Sequence, residues 1–296
     1  MKSDANAVAL QASTRAADFV ALAKPRLNFL VVISALAGYA MGGGDGHDVL
    51  RVLYTLLGTG LVASGASAFN QLIERDRDGL MNRTRLRPLP DGRLQSFDAA
   101  VFASVLSIAG LLILVAGVNV LSAIVAFVTL ATYALIYTPM KRRTSFATVV
   151  GAIPGALPPV IGWAAAQNEI GRGALVLFGI VFLWQLPHFL AIAWIYREDY
   201  ARAGFPMLPV IDPDGRSTAR QVVVYAAAVL PLSLAPTLIR MTGAAYFAGA
   251  FALGLIFITL ALRFAHSRSV PDARRLFFGS IVYLPLLWIL MIADRM

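Results

Sequence analysis

The sequence predicts an all-α integral membrane protein with nine transmembrane helices, and three features support this class. Hydrophobic residues occupy 58% of the 296 positions and charged residues only 14%, a composition too apolar for a water-soluble domain of this length. Apolar runs long enough to cross a bilayer as helices occur nine times. Charged residues are concentrated between these runs, which indicates polar loops joining apolar helices.

The connections between the apolar runs are short. The longest polar stretches cover only residues 74–96 and 197–220, so no separate soluble domain is expected. The first residues lack the apolar stretch and small-residue cleavage site of a signal peptide. We therefore predict a cytoplasmic tail over 1–26 and a single membrane domain over 27–296. The nine helix cores are expected at 27–41, 49–69, 97–116, 121–137, 146–165, 174–195, 221–239, 244–262 and 276–292.

Positive charge is distributed unevenly between the two sides of the predicted helices. With the amino terminus in the cytoplasm, the lysines and arginines on the opposite side are only Arg51, Arg172, Arg240 and Arg295. Cytoplasmic enrichment of Lys and Arg is the usual orientation signal of membrane proteins. We expect a carboxyl terminus on the opposite face and, from the short tail, a bacterial inner membrane. The net charge of +9 then reflects topology, and no nucleic-acid partner is expected.

The order of the loops predicts an internal repeat. Acidic loops follow the second and sixth helices, and basic loops follow the fourth and eighth. This order divides the chain into two four-helix halves plus a ninth helix. Because each half has an even number of spans, both acidic loops reach the same face, where they can converge over a central cavity.

The first acidic stretch carries three candidate ligands at helical spacing. Asn70, Glu74 and Asp78 follow one another at intervals of four, which places them on one face if the second helix continues, whereas Asp76 lies on another. Carboxylates can chelate a divalent metal and neighbouring arginines can bind phosphate oxygens, so the stretch indicates an enzyme acting on a diphosphate ester. The alternative is a solvated loop whose arginines bind lipid headgroups.

Basic residues near these carboxylates are candidates for binding a diphosphate. Arg83 and Arg87 follow the acidic stretch, and Lys141 and Arg142 lie in the basic loop after the fourth helix. Arginine offers planar, permanently charged donors. Anchoring to the membrane and setting the topology explain the same residues equally well, so both interpretations stay open.

The sixth predicted helix contains polar residues at a depth where the bilayer is apolar. The segment W-Q-L-P-H-F-L, residues 184–190, places Gln185 and His188 about two to three turns from the cytoplasmic end. A histidine there faces the bundle interior, where it binds a metal or cofactor or packs as a structural residue. His47 and His266 are expected at the surface. The chain has no cysteine, so any metal must be held by oxygen or histidine.

Several motifs together carry a family resemblance. The pattern N-x-x-x-[DE]-x-x-x-D followed by R-T-x-x-R-P, over residues 70–88, resembles the UbiA-type intramembrane aromatic prenyltransferase superfamily. Within it, four further segments are similar to the protoheme IX farnesyltransferase (haem O synthase) family. They are Y-T-P-M-K-R-R-T from Tyr137, G-A-L-P-P-V-I-G-W from Gly155, W-Q-L-P-H-F from Trp184 and D-Y-A-R-A-G-F-P-M-L-P-V from Asp199.

The resemblance implies a specific chemistry. The donor is farnesyl diphosphate, the acceptor is a vinyl group of haem b, water is added to give haem O, and Mg²⁺ is the activating ion. The expected partners are membrane lipid and a downstream haem A synthase or terminal oxidase assembly. His188 is the candidate residue for contacting haem. The implied metal ligands are Asn70, Glu74, Asp78 and Asp199, and the implied diphosphate-binding residues are Arg83, Arg87, Lys141 and Arg142.

Two departures from the superfamily pattern bear on this interpretation. Glu74 stands where aspartate is common, and the second polar stretch lacks a D-x-x-x-D pair, with Tyr196 and Tyr200 at that spacing. The missing pair argues against a second, symmetrically bound metal. A prenyltransferase acting on a quinone or chlorophyll precursor is the nearest alternative, because it shares the metal and diphosphate residues. A secondary transporter predicts ionisable residues deep in the bilayer, whereas this chain keeps its acids near one face.

Overall fold

The computed structural model describes residues 14–44 and 48–296, and this part of the chain contains nine helices long and apolar enough to cross a membrane. These described residues form helices joined by loops, without β-strands. The predicted all-α class and number of spans are confirmed, whereas His47 lies outside the described residues. Spans 1 to 9 are Arg15–Met41, Val49–Asp78, Ser96–Gly117, Val120–Met140, Ala147–Gln167, Arg172–Ile195, Arg216–Leu238, Ala244–Ser267 and Val270–Ala293.

Three spans are built from more than one helix. Span 1 changes direction at Lys24, whose left-handed backbone (φ 49°, ψ 55°) separates Arg15–Ala23 from Pro25–Met41. The residue before a proline is disfavoured in the α-helical region of φ/ψ space, so the first helix ends at Lys24. Pro25 can begin the next helix because proline has no backbone N–H group that would need a hydrogen-bond partner. The pieces of spans 4 and 5 are Val120–Ala131, the π-helix Thr132–Tyr137, Thr138–Met140, Ala147–Ala156 and Pro158–Gln167. Short helices Arg197–Arg202 and Leu208–Ile211 connect spans 6 and 7.

The helix Arg15–Ala23 lies within the predicted tail but is packed onto the membrane domain. Leu22 is fully buried, and Gln71 of span 2 donates a hydrogen bond to its carbonyl at 2.9 Å. Asn28 donates to the Ala23 carbonyl at 2.6 Å. These bonds satisfy carbonyl groups that the end of the helix leaves unpaired. The folded unit therefore begins before residue 27.

Span 2 continues past its predicted end at residue 69, as far as Asp78. The extension is polar, so the apolar pattern alone did not reveal it. Asn70, Glu74 and Asp78 are nevertheless buried, which shows that contacts with other segments lengthen the helix. Arg75 and Arg77 in the last turn add favourable interactions with the negative end of the helix dipole.

The spans pack mainly against their neighbours in the chain, and span 5 joins the two parts of the bundle. Span 5 packs on spans 1, 4 and 6 and has the largest buried share of its length. Spans 6 to 9 pack in sequence, and span 9 contacts spans 1, 6 and 8. A ninth helix that closes the bundle agrees with the prediction from the loop order.

Spans 1 and 5 approach so closely that their backbones touch. A Cβ atom at Gly38 would overlap the carbonyl of Pro159, and one at Gly162 would overlap the carbonyl of Ala35. Small residues permit this kind of approach between membrane helices. The contact requires glycine at both positions because backbone atoms cannot rotate out of the way.

Gly162→Val is expected to separate spans 1 and 5. Overpacking of this kind costs about 1–3 kcal/mol, so we expect a lower Tm in detergent and less monodisperse protein on size-exclusion chromatography. Gly171→Ala is the matched control, since a Cβ there meets no atom closer than 3.5 Å. An unchanged Tm for Gly162→Val would contradict the backbone contact.

Candidate active site

The polar face of span 2 is buried at the end of the helix. Asn70, Glu74 and Asp78 expose only 4%, 3% and 1% of their surface. Their spacing places them on one side of the helix, as the sequence predicted. Burying a carboxylate is costly unless it is paired. The partners of these three side chains therefore define the site.

Asn70 is oriented by the end of span 4. Its Nδ2 donates to Thr138 Oγ1 at 3.3 Å, and the Thr138 hydroxyl donates its only proton to the Tyr133 carbonyl at 2.8 Å. Thr138 can therefore only accept from Asn70, which directs the amide oxygen Oδ1 away from span 4. Thr138 directly follows the π-helix Thr132–Tyr137, a local distortion that is frequent at functional sites.

Glu74 is paired with Lys141, which follows span 4. Its Oε1 lies 2.7 Å from Lys141 Nζ. Burial alone would lower the pKa of the amine, but the adjacent carboxylate outweighs this effect and raises the pKa of Lys141 above its ordinary value. The rings of Tyr137 and Phe205, with centroids 5.5 and 5.1 Å from Nζ, add cation–π attraction. Lys141 is therefore held in its charged form beside Glu74.

Asp78 is paired through only one of its oxygens. Oδ2 accepts from Arg87 Nη1 at 2.6 Å, whereas Oδ1 is buried and accepts no hydrogen bond from any residue that the structure describes. The loop carrying Arg87 is folded back on the helix end by Thr84, whose hydroxyl donates to the Asp78 carbonyl at 2.8 Å. An unpaired buried carboxylate oxygen is costly, and a divalent cation at Oδ1 would satisfy it.

Lys24, which the sequence analysis did not place in the site, brings a third basic side chain to these carboxylates. Its amine interacts electrostatically with Glu74, Asp78, Arg87 and Lys141. Two carboxylates therefore lie among three basic side chains, a set of groups that suits an anion such as a diphosphate. The available signal in the sequence was a lysine directly before a helix-starting proline.

Asp199, between spans 6 and 7, is hydrogen-bonded to the loop that follows span 2 and so joins the two polar stretches. Its Oδ2 accepts from the backbone N–H of Arg83 at 3.2 Å. Its Oδ1 accepts from the backbone N–H of Asn82 at 3.3 Å and from the Arg202 side chain at 2.9 Å. Both carboxylate oxygens are therefore occupied by donors, and two of the three donors belong to the loop after span 2.

Further contacts join the same two loops. The Arg83 guanidinium lies 4.7 Å from the Tyr196 ring centroid and 5.7 Å from that of Tyr200. Arg77 donates to the Ala203 carbonyl at 2.6 Å. The two tyrosines at the D-x-x-x-D spacing therefore bind an arginine in this chain. The predicted convergence of the two polar loops is confirmed.

The four predicted metal ligands do not assemble into one cluster. In residues 14–44 and 48–296, no three His, Asp or Glu side chains lie close enough to hold a metal by themselves. The hydrogen bonds of Asp199 position the loop after span 2, and its role as a metal ligand stays a prediction. Mg²⁺ is commonly bound by one or two carboxylates together with substrate phosphates and water. Asn70, Glu74 and Asp78 fit a metal of this kind, which completes its coordination with a diphosphate.

The predicted diphosphate-binding residues fall into two groups. Lys141 and Arg87 border the buried carboxylates directly. Arg83 lies on the tyrosines of the second loop, and Arg142 is exposed and donates to the Ile73 carbonyl. The first group is therefore in place before any ligand arrives, whereas the second lies at the rim.

His188 lies apart from the charged cluster, on an apolar cavity between spans 1, 5, 6 and 9. This inner cavity has a volume of about 120 Å³. The imidazole is packed between the rings of Trp184 and Phe277, with centroids 5.3 and 4.9 Å away, and its Nδ1 lies 2.7 Å from Ser280 Oγ. His266 is exposed, as predicted. Residues that line the inner cavity include Leu30, Ser34, Gly155, Trp184, His188 and Trp288.

Glu74→Gln is expected to lower the pKa of Lys141, because burial then favours the neutral amine without an opposing carboxylate. An amine with a raised pKa stays protonated and unreactive at mildly alkaline pH, whereas a lowered pKa frees the nucleophilic form. We expect faster acylation of Lys141, measured by peptide mass spectrometry across a pH series. Asp76→Asn is the control, since that side chain is 81% exposed. Equal labelling of Glu74→Gln and wild type would rule out the pairing.

Asp199→Asn is expected to loosen the loop after span 2, because the new amide turns an N–H₂ group toward backbone donors. Hydrogen bonds to charged groups contribute about 1.5–3 kcal/mol, so the Asn82 and Arg83 amides should exchange about tenfold faster in hydrogen-exchange mass spectrometry. Glu198→Gln is the control, since Glu198 is exposed beside it. Unchanged exchange combined with weaker Mg²⁺ binding would show that Asp199 is a metal ligand after all.

Comparisons with known proteins identify the family of this chain. The chain matches the UbiA prenyltransferase family over residues 31–283. It is 51% identical over 287 residues to a protoheme IX farnesyltransferase of Solibacter usitatus (strain Ellin6076), which covers 94% of this chain and 98% of that protein. It is 42% identical over 288 residues to a protoheme IX farnesyltransferase of Koribacter versatilis (strain Ellin345), covering 94% and 93%.

Solved structures share the fold at low identity. A digeranylgeranylglyceryl phosphate synthase superposes with a TM-score of 0.78 at 17% identity, covering 94% of this chain and 97% of the other. A UbiA homolog from Archaeoglobus fulgidus bound to GPP and Mg²⁺ superposes with a TM-score of 0.65 at 15% identity, covering 93% and 99%. Since the family match and the relatives both extend over most of the sequence, the chain belongs to the UbiA prenyltransferase family.

Proposed function

We propose that this prenyltransferase moves the farnesyl group of farnesyl diphosphate onto a vinyl group of haem b and adds water, which gives haem O. The observation that carries the proposal is the pair of buried carboxylates, Glu74 and Asp78, each matched with a cation at the end of an apolar bundle. A charged site of this kind suits a diphosphate, and an apolar bundle suits a prenyl chain. The acceptor is inferred from the similarity to protoheme IX farnesyltransferases.

The two ion pairs explain how a diphosphate can be received. Lys141 and Arg87 can turn from the carboxylates to phosphate oxygens, which leaves Glu74 and Asp78 free to bind Mg²⁺. The unpaired Asp78 Oδ1 and the oriented Asn70 Oδ1 are oxygen ligands of the type that this ion takes. Bound there, Mg²⁺ would neutralise charge that builds on the leaving diphosphate.

The cations of the site stabilise the leaving group as the allylic carbon–oxygen bond breaks. Lys141 is kept charged by Glu74, and Arg87 adds positive charge beside Asp78. Charge that is already in place lowers the barrier because little reorganisation accompanies the reaction. Arg83 and Arg142, at the rim, are proposed to contact the diphosphate from the loop side.

The apolar bundle protects the farnesyl cation from premature capture by water. The haem vinyl group then attacks C1 of the farnesyl cation, which needs no strong base. Water adds to the carbocation that this attack leaves on the haem substituent. His188, on the wall of the inner cavity, is proposed to lie beside the haem.

Charge distribution supports a proposed orientation in the membrane. The chain is an integral membrane protein with bacterial relatives. We place it in the inner membrane with the amino terminus and the charged cluster on the cytoplasmic side, because positive residues concentrate there. The carboxyl terminus then lies on the opposite face. Its product would pass to a downstream haem A synthase or terminal oxidase assembly.

The proposed reaction is tested with purified protein in detergent, incubated with haem b, farnesyl diphosphate and Mg²⁺. We expect haem whose mass has increased by one farnesyl group plus water, and no gain after addition of a chelator. Asp78→Asn should lower turnover about 100-fold, the scale on which one lost electrostatic contact to a leaving group acts. Asp76→Asn, exposed on the same helix, should retain activity.

Two results would contradict the proposed function. Unchanged haem together with farnesyl transfer to a quinone precursor would assign the alternative acceptor. Full activity of Asp78→Asn would remove the buried carboxylates from the mechanism.

A further inference from the structure

The wall of the inner cavity carries polar groups that its apolar surroundings do not explain. His188 contributes an imidazole ring to this wall. Ser34 contributes a hydroxyl to the same wall. Buried polar groups are nearly always hydrogen-bonded, to protein or to ordered water. The lining therefore indicates a small polar ligand inside an otherwise apolar chamber.

The protonation of His188 is determined by Ser280. The Ser280 hydroxyl donates its single proton to the Phe277 carbonyl at 2.6 Å, so toward His188 Nδ1, 2.7 Å away, it can only accept. The Nδ1 atom of the neutral imidazole must then carry the proton, which leaves Nε2 with a free lone pair. No described residue donates a hydrogen bond to Nε2. His188 thus presents a proton acceptor on the cavity wall.

The size of the inner cavity limits what it can hold. Pockets for drug-sized ligands measure about 300–1,000 Å³, whereas this cavity measures about 120 Å³. A water molecule needs about 10–15 Å³ of such volume and two or more polar partners. The cavity is therefore too small to enclose a porphyrin ring but large enough for a few water molecules beside His188 and Ser34.

His188 lies at the depth where the reaction takes place. It precedes the end of span 6 by seven residues, and Asn70 precedes the end of span 2 by eight, so both lie roughly 10–12 Å below their helix ends. The loops that follow these two helices bind each other through Asp199. His188 and Asn70, the innermost residue of the diphosphate site, therefore lie at similar depths below two helix ends whose loops bind each other.

We propose that the inner cavity holds the water that adds to the carbocation and that His188 accepts its proton. This inference rests on the proposed function. The oxygen of the water donates a lone pair to the cationic carbon next to the porphyrin ring and forms the carbon–oxygen bond. One O–H bond breaks, and its proton passes to His188 Nε2. The product carries the hydroxyl group, the imidazole becomes imidazolium, and the diphosphate has already left.

The contacts of His188 suit this role. Trp184 and Phe277 pack against the ring, and the Nδ1–H bond to Ser280 persists when Nε2 becomes protonated. A base whose second nitrogen is anchored in this way needs no rearrangement before it accepts a proton. Ser280 is accordingly a positioning residue, since it acts only through His188.

The test follows the product of the haem reaction by mass. His188→Phe keeps a ring between Trp184 and Phe277 but removes the base, which typically contributes at least about 100-fold to a rate. We expect hydroxylated product to form about 100-fold more slowly, with an alkene lighter by one water, formed by proton loss from the same carbocation, taking its place. Ser280→Ala should shift the ratio of alkene to alcohol in the same direction by about tenfold.

Ser233→Ala is the matched control, because it removes a buried hydroxyl that bonds Tyr283 elsewhere in the bundle. The alkene-to-alcohol ratio should not change in this variant, although we expect all the serine variants to lose a similar amount of stability. The ratio separates a role in water addition from a purely structural role, since a weakened fold lowers both products together.

Three outcomes would overturn the inference. In the first, His188→Phe forms the alcohol at the wild-type rate. In the second, His188→Phe forms neither product and alters the haem absorption spectrum, which would make His188 an iron ligand and leave the proposed function intact. In the third, wild-type protein forms no farnesyl–haem product at all, which would remove the proposed function together with the inference.

Discussion

The pairing of Glu74 and Asp78 with Lys141 and Arg87 is the interaction on which the site depends. Each of these charges would be very costly alone inside an apolar bundle, and removing one member of such a pair typically costs about 3–5 kcal/mol. The partners come from different segments, since the carboxylates lie on span 2 and the cations lie in the loops after spans 4 and 2. Satisfying the charges therefore fixes where these segments meet.

Stability alone does not explain these buried ion pairs, because apolar side chains of similar volume often stabilise a bundle equally well. Two features indicate that the pairs serve a ligand. Asp78 Oδ1 is unpaired, and Lys24 brings a third basic side chain to the two carboxylates. Asp199 and the tyrosines around Arg83 hold the covering loop in place, so the cations are positioned before a diphosphate binds.

The site divides into a charged part and an apolar part with different tasks. Ionisation of a diphosphate needs strong positive charge, which the cluster at the end of span 2 provides. The cation that results needs an environment with little water, which the apolar spans provide. The inner cavity adds two polar groups at the boundary, namely His188 and Ser34. In the proposed reaction, this separation would allow one water to react without admitting bulk solvent.

The sequence alone determined the membrane class, the number of spans and the common helix face of Asn70, Glu74 and Asp78, because composition and spacing are local properties of the chain. It did not predict that span 2 extends to Asp78, that Lys24 joins the charged cluster, or that Asp199 binds loop N–H groups. These features depend on contacts between residues far apart in sequence. The proton position on His188 likewise depends on Ser280, 92 residues away, so only the tertiary structure could decide it.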